Sequence, residues 1–350
     1  MARRKQFIDA DVLTEGKKRI GHLLDTFDSI VVMFSGGKDS LAVLHLTHEV
    51  MVERGDTRPL NVVFRDEELI PNEVIDFVAG YRDLPWVKMF WLCVPLASTK
   101  YVLGVAKSYV QWDTGRAHVR PMPAWGVTLP PGDDRVFDQY TMDAFTARYF
   151  KGRIAFLNGI RSAESLIRFR SCVNKLNENY INEVADAPNV RLCKPIFDWE
   201  ENDIFRYFYD RNIPYCKLYD MQAYAGSNLR ISTPLHAESA KRFGQIRITT
   251  PDFYERVIAL FPEMLAQERY YSQMDREAVK LKYGETYEGV FAWIEENITE
   301  PPQLELATKR YRSVLKRAAK TPDSYPSRYL LNAFMSGSFK REIIPQKAKP

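Results

Sequence analysis

The sequence predicts an α/β chain, a parallel twisted sheet with helices on both faces, followed by a mainly helical C-terminal region. Three observations carry that expectation. Short apolar, often β-branched runs alternate with amphipathic stretches from Ser29 to Pro214. The chain has 350 residues, 45% of them hydrophobic, enough to bury a sizeable core and long enough for two domains or one domain with a large appendage. From about His236 onward the patterning is helical, with no strand alternation.

"SIVVMFS" reads as a buried strand, and "DSLAVLHLTHEVMVERG" places Leu41, Leu44, Val50 and Val52 on a broadly apolar helix ending at Gly55. "PLNVVFRD" repeats the strand pattern. "IPNEVIDFVAGYRD" reads as a helix with Pro71 in its first turn, and "WVKMFWLCVPL" as a third strand. Such alternation implies a parallel sheet, whose ligands sit at the carboxyl ends of the strands. Between Ala97 and Asp138 the periodicity fails. That stretch is rich in Pro, Gly and Trp and too long for an ordinary connection, so an ordered lid or substrate loop is expected. "DAFTARYF" then reads as a helix, "RIAFLNGI" as a strand, and "VRLCKPIFDWEENDIFRYFYDRNIP" as a short strand and a helix that Asp198 would cap. Two regions are expected: residues 1–235, an α/β domain with an insertion at about 97–138, and residues 236–350, mainly helical with a basic tail.

No apolar stretch reaches the ~18 to 20 residues that span a bilayer, and the basic start is followed by no apolar region or small-residue cleavage site. A cytoplasmic protein with no membrane attachment is expected. The four cysteines, Cys93, Cys172, Cys193 and Cys216, are widely spaced, without a C-x-x-C pair or a neighbouring histidine cluster. Buried free thiols are expected, and neither zinc nor an iron–sulfur cluster. The net charge of +4 hides an asymmetry: residues 301–350 hold 11 Lys and Arg against 3 Asp and Glu, and the other 300 hold 38 against 42.

The hexapeptide "SGGKDS", Ser35 to Ser40, lies at the strand-to-helix junction. Backbone N–H groups there converge on an anion, helped by the positive end of the helix dipole. Gly36 and Gly37 let the chain come close, Lys38 supplies a point charge, and Ser35 and Ser40 supply hydroxyl donors. The spacing differs from that of the Walker A loop. It resembles the PP-loop signature of the N-type ATP pyrophosphatases, which cleave ATP between its α and β phosphates.

"LNGIRSAESLIRFR" resembles the G-x-R-x-x-E-S-x-x-R segment of the phosphoadenosine-phosphosulfate (PAPS) reductases through Gly159, Arg161, Glu164, Ser165 and Arg168. "KPIFDWEENDIFRYFYDRNIPYCKLYD" is similar to that family's next segment, so the likeness covers about residues 25–235. It implies an adenine nucleotide alpha hydrolase-like fold. Arg161 and Arg168 would bind phosphate or sulfate oxygens through forked donors, with Glu164 orienting a guanidinium; the plainer reading is a surface i,i+4 pair between Glu164 and Arg168. The departures matter too. No cysteine follows Cys216, whereas the reductases use one near the C-terminus, and "AGSNLRIS" stands where related DNA-phosphorothioation proteins carry cysteines. Reduction of PAPS and a bound cluster are therefore not expected. "FRDEELIPNEVIDFV", "FWLCVPL", "YVQWDTGRAHVRPMP" and "LRISTPLHAESAKRFGQIRITTPDFYERV" resemble phage and mobile-element members of the immunoglobulin-binding regulator A type, which implies a ParB-like partner.

ATP is expected with its β and γ phosphates on Ser35–Ser40 and with magnesium offsetting charge. Asp39 is one candidate for the metal or its waters. Asp66, Glu67 and Glu68, at the carboxyl end of the second strand, are candidates for metal or ribose contacts, or else an acidic helix N-terminus. Lys38, Asp39 and Arg161 are the expected catalytic set, working by positioning and charge stabilisation. His45 and His48 read as packing or surface residues. Three functions stay open: adenylylation of an unknown acceptor, PAPS binding or sulfur transfer with a partner's thiol, and nucleotide sensing by a nucleic-acid-binding regulator. For the last, "ELATKRYRSVLKRAAK" offers Lys309, Arg310, Arg312, Lys316, Arg317 and Lys320 on a helix with an apolar stripe of Tyr311, Val314 and Leu315.

Overall fold

A computed structural model of the chain describes residues 9–173, 180–184, 186–226, 229–270, 276–298 and 300–346. The strands are β1 (Ser29–Met33), β2 (Leu60–Arg65), β3 (Val87–Leu92), β4 (Leu96–Val102), β5 (Val105–Gln111), β6 (Ile154–Leu157), β7 (Ile181–Glu183) and β8 (Val190–Cys193). The helices that matter for the site are α1 (Val12–Thr26), α2 (Lys38–Glu53), α3 (Asn72–Arg82), α4 (Gln139–Ala147), α5 (Leu166–Val173), α6 (Glu201–Arg211) and α7 (Leu218–Tyr224). Six strands pair in the order β3-β2-β1-β6-β8-β7, while β4 and β5 pair with each other. Every pairing in the large sheet is parallel except that of β7 with β8.

Successive strand residues point to opposite faces, and both faces of the central strands are buried. Val32, Val62, Phe64 and Leu157 pack with Ile20 and Leu23 of α1, Leu41 and Leu44 of α2, Val74 and Val78 of α3, and Ile204 and Phe208 of α6. Val31, Val63, Ile154, Phe156 and Val190 pack on the other face with Ala147 of α4. Each such side chain contributes roughly 1.5–3 kcal/mol by leaving water. From β1 the chain steps to β2 and β3 on one side, then returns to place β6 and β8 on the other. The crevice at the carboxyl ends of β1 and β6 is therefore the switch point of the sheet.

Three local expectations are corrected. The stretch from Ala97 to Asp138 is not wholly irregular: it contains most of β4 and β5, whose turn places Leu103 and Gly104 at φ 49° and 84°. Paired positive φ values are what a two-residue hairpin needs, and a Leu-Gly pair signals that turn only weakly. Asp198 does not cap α6; the N-cap is Glu200, while Asp198 makes a bidentate ion pair with Arg19 of α1. The acidic run after β2 is not a helix start, because α3 begins at Asn72.

The chain divides into two compact units, each discontinuous in sequence. One comprises residues 1–98, 110–233 and 245–260 and contains the large sheet. The other comprises residues 99–109, 234–244 and 261–350. In the second unit, Val290 and Ile294 of helix Tyr287–Asn297, Ala307, Tyr311, Val314 and Ala318 of helix Pro301–Ala318, and Leu330, Leu331 and Phe334 of helix Ser327–Met335 share one core. The tail's apolar stripe runs through Ala307, Tyr311, Val314 and Ala318, and Leu315 lies 36% exposed instead of within it. Among the described residues, no helix is long and apolar enough to cross a membrane.

Candidate functional site

The loop after β1 is shaped by its own side chains. Gly36 has φ 75°, and a Cβ there would also lie 2.8 Å and 2.9 Å from methyls of Val74 and Val78. Only glycine meets both demands. The Ser40 hydroxyl donates to the Gly37 carbonyl at 2.9 Å and accepts the Ser35 N–H at 3.1 Å, with the two seryl oxygens 3.0 Å apart. The hydroxyls expected to face a ligand thus brace the loop. Helix α2 starts at Lys38 with Gly37 as N-cap and no capping side-chain bond from it. Helix starts leave N–H groups without intrahelical partners. Here the Lys38 N–H finds the Tyr219 hydroxyl of α7 at 2.8 Å, while the N–H groups of Gly36, Asp39 and Ser40 have no acceptor among the described residues.

Three expected residues meet at this helix start. Lys38 Nζ, on a buried side chain, lies 3.4 Å from Asp39 Oδ2, 3.2 Å from Glu201 Oε2 and 3.3 Å from the Leu229 carbonyl. Arg161 Nε donates to Asp39 Oδ1 at 2.6 Å, and its Nη1 reaches the Trp199 carbonyl at 3.5 Å. Asp39 therefore bridges two cations whose side chains are only 6% and 5% exposed. Gly159, after β6, lies against the loop: a Cβ there would sit 2.5–2.7 Å from backbone atoms of Asp39 and Ser40. This close approach explains the glycine before Arg161. Glu164 accepts the Arg161 N–H at 3.3 Å and forms an ion pair with Arg168, so the i,i+4 pair and the contact with Arg161 coexist. Ser165 caps locally, its hydroxyl accepting the Arg168 N–H at 3.2 Å.

The acids after β2 have a different fate. The Asp66 carboxylate accepts the Glu68 N–H at 2.9 Å and the Trp91 indole N–H at 2.8 Å, and pairs with Arg120. Glu68, at φ 55°, takes Arg116 through two bonds of 2.7 Å and the N–H groups of Trp112 and Val119 at 2.7 Å and 3.1 Å. Both carboxylates are spent on fastening residues 112–120 to the carboxyl end of β2. A metal contact at Asp66 would require releasing Arg120. Glu67 is the exception: it is partly buried, and its carboxylate has no hydrogen-bond partner among the described residues. Burial pushes its carboxyl up, opposed by Arg65 and reinforced by Asp66. Among the described residues, no group of three or more His, Cys, Asp and Glu side chains converges on a metal position.

All four cysteines are buried free thiols. Burial pushes Cys193 up to about 12 and Cys216 up to about 11, and Cys93 upward too, so none of these three is a ready thiolate. His45 is mostly buried, bonds the Tyr81 hydroxyl at 2.7 Å, and is pushed down to about 4 by burial, while His48 stacks on Trp86 at 4.1 Å. Both are packing residues. Three groups at the loop carry no local sequence signal: Tyr219, Glu201 and the Leu229 carbonyl. Their roles come from α6, α7 and the segment after α7 folding back over the start of α2.

The carboxyl ends of β1 and β6 thus bring together a glycine-tight loop, N–H groups without an acceptor among the described residues, and two buried cations. Residues 29–84 and 143–266, just over half of the chain, match the profile of the phosphoadenosine phosphosulfate reductase domain. The chain belongs to that family, and the two matched stretches flank the insertion. It is 26% identical over 269 residues to the uncharacterized protein YbdN of Escherichia coli strain K12, across 71% of this chain and 65% of that protein. It is 24% identical over 94 residues to an adenosine 5'-phosphosulfate reductase of Staphylococcus epidermidis, across 27% of this chain and 35% of that one. The match thus spans less than two thirds of the length of either relative. Among solved structures it is similar to Candida glabrata FMN adenylyltransferase in complex with FAD and inorganic pyrophosphate, with TM-score 0.40, 15% identity, and coverage of 61% and 63% of the two chains. It is also similar to the phosphate complex of Candida auris phosphoadenylyl-sulfate reductase, with TM-score 0.34, 13% identity, and coverage of 59% and 84%.

Proposed function

We propose that the chain binds ATP on the Ser35–Ser40 loop and transfers its adenylyl group to an acceptor that bears a nucleophilic oxygen. The observation that carries this reading is the set of N–H groups of Gly36, Asp39 and Ser40 that have no acceptor among the described residues, at the start of a 16-residue helix beside buried Lys38 and Arg161. The acceptor oxygen attacks the α phosphorus, the bond to the α,β-bridging oxygen breaks, and pyrophosphate leaves with that electron pair. The acceptor's proton passes to water. Lys38 and Arg161 offset the charge that gathers on the leaving phosphates. Gly159, Glu164 and Arg168 hold Arg161 and the loop in register. Magnesium fits as an ion carried by the phosphates, since it binds through one or two carboxylates plus phosphate oxygens, and Asp39 is the carboxylate at hand. PAPS remains the alternative nucleotide, but the burial of all four thiols favours a thiol supplied by a partner over one from this chain. Pyrophosphate release from ATP, tested with candidate acceptors, supports adenylyl transfer. Sulfite release from PAPS with thioredoxin, and no pyrophosphate from ATP, would replace it.

A separate observation favours polyanion binding by the second unit. Lys309, Arg312, Lys316 and Lys320 are exposed, fall on one face of the helix and its C-terminal turn, and have no carboxylate partner among the described residues. They span about 16 Å at 1.5 Å per residue. Arg317 is paired with Glu342 and Arg310 is partly buried, so neither belongs to this stripe. Removing the helix would remove core residues as well, so reversal of the four charges to Glu is the cleaner test. Nucleic acid retained by the wild type should be lost by that variant, with a wild-type slope of log affinity against log salt near about −3.6 if four phosphates are neutralised. Salt-independent or absent binding would sink the idea. The phage-type subtype and a ParB-like partner rest on sequence resemblance alone.

A further inference from the structure

A tyrosine of α7 lies against the Ser35–Ser40 loop without a part in the nucleotide reading, on which this inference rests. Tyr219 is 3% exposed, and its hydroxyl accepts the Lys38 N–H at 2.8 Å. A Cβ on Gly37 would lie 3.4 Å from that oxygen, and the ring centre is 5.7 Å from Lys38 Nζ. The phenol is thus seated at the N-terminus of α2, where an anion would dock. A phenol both donates and accepts. Its accepting side is used, but among the described residues its own O–H proton has no acceptor. Leaving a buried donor unmatched costs about 1–3 kcal/mol. This is not ordinary helix capping, since an N-cap side chain accepts from the N–H groups of N2 or N3, whereas Tyr219 takes that of Lys38, the first residue of α2.

The neighbouring free groups are of the same kind. Gly36, Asp39 and Ser40 each offer an N–H with no protein acceptor among the described residues, and Lys38 and Arg161 add cationic donors. A site made of donors is completed by a ligand rich in acceptors. We infer that Tyr219 is a phosphate-binding residue, its O–H donating to an oxygen of the nucleotide's phosphate chain while its ring holds the Lys38 stem. The ring is held by packing, since Tyr219 is buried in the same core as Cys216, Leu218 and the apolar residues of α2. Burial pushes the phenol's pKa up, with nearby Asp39 and Glu201 adding to it, so the donor proton is retained at neutral pH.

Tyr219→Phe tests this directly, because it removes the O–H and keeps the ring. Titration calorimetry with ATP, inorganic pyrophosphate and adenosine on the full chain separates the possibilities. The expected result is a roughly tenfold or greater loss of affinity for ATP and pyrophosphate, with adenosine affinity unchanged. Unchanged pyrophosphate affinity in the variant, where the wild type binds, would overturn the role of Tyr219 and leave the nucleotide reading standing. Tighter binding by the variant would overturn it as well, since the hydroxyl would then be a competitor for the Lys38 N–H. A wild type that binds neither ATP nor pyrophosphate removes the nucleotide reading, and this inference with it. Should Tyr219→Phe lower the melting temperature severely, Tyr219→Trp, which restores a donor on an aromatic ring, is compared at the same temperature; no recovery of pyrophosphate affinity relative to Phe counts against a donor role.

Discussion

Two acidic positions at neighbouring strand ends, Asp39 beyond β1 and Asp66 beyond β2, show how burial separates function from framework. Asp39 keeps 19% of its side chain exposed and bridges Lys38 and Arg161, both of which a phosphate could also attract. Asp66 has no exposed side-chain surface, and its oxygens are committed to Arg120, the Trp91 indole and the Glu68 N–H. The loop retains N–H donors, those of Gly36, Asp39 and Ser40, that meet no acceptor among the described residues. At the corner after β2 the Asp66 and Glu68 carboxylates are fully engaged, and what stays unpaired among the described residues is the Glu67 carboxylate and the Nε atoms of Arg65 and Arg120. Position at the carboxyl end of a parallel strand is therefore not sufficient to make a site; the group must also have hydrogen-bonding capacity to spare.

This contrast leads to opposite mutational outcomes. The largest effect is expected from Asp66→Ala, which strands a buried arginine and two N–H donors. It should cost about 3–5 kcal/mol in urea unfolding, by the general penalty for removing one partner of a buried pair. A loss under about 1 kcal/mol would show that the corner is wetter and freer than its geometry implies. Lys38→Ala should cost less stability than Asp66→Ala, because Asp39 keeps Arg161 and Glu201 is half exposed. Its cost should appear in ATP affinity, at about 1.5–3 kcal/mol by calorimetry, the range for a bond to a charged group. Equal ATP affinity in wild type and variant would erase the distinction between the two regions. The smallest functional effect is expected from replacing Cys93, Cys172, Cys193 and Cys216 with Ser. Nucleotide affinity should be unchanged while the unfolding midpoint falls, since hydroxyls would replace thiols that are all buried. Loss of pyrophosphate release in a folded Cys216→Ser variant would reveal a redox role.

Much of this was readable in linear order. The β-branched runs and helical spacing foretold β1, β2, β3 and β6 with α2 and α3, because periodicity is a local property of the chain. The hexapeptide Ser35–Ser40 foretold a tight loop at a helix start through glycine geometry, again a local property. Gly159, Arg161 and Glu164 were legible through a family pattern, and the lack of any cysteine after Cys216 is a plain fact of the sequence. The β4–β5 hairpin was not, since its Leu-Gly turn is a weak signal.

What composition and spacing determined, then, was the kind of sheet, the place of the loop and the residue types available to it. Packing alone decided which of those residues remain available. Asp66 and Glu68 look as reactive in sequence as Asp39, yet arginines 54 and 48 residues further on claim them. Tyr219 reaches Lys38 across 181 residues, and Gly159 meets the backbone of Asp39, pairings that no window of sequence contains. Residues 99–109 likewise join the compact unit of residues 234–244 and 261–350 despite lying far upstream. The physical reason is range: dihedral preference and periodicity act over a few residues, whereas burial and hydrogen-bond satisfaction are settled only when distant segments exclude water together.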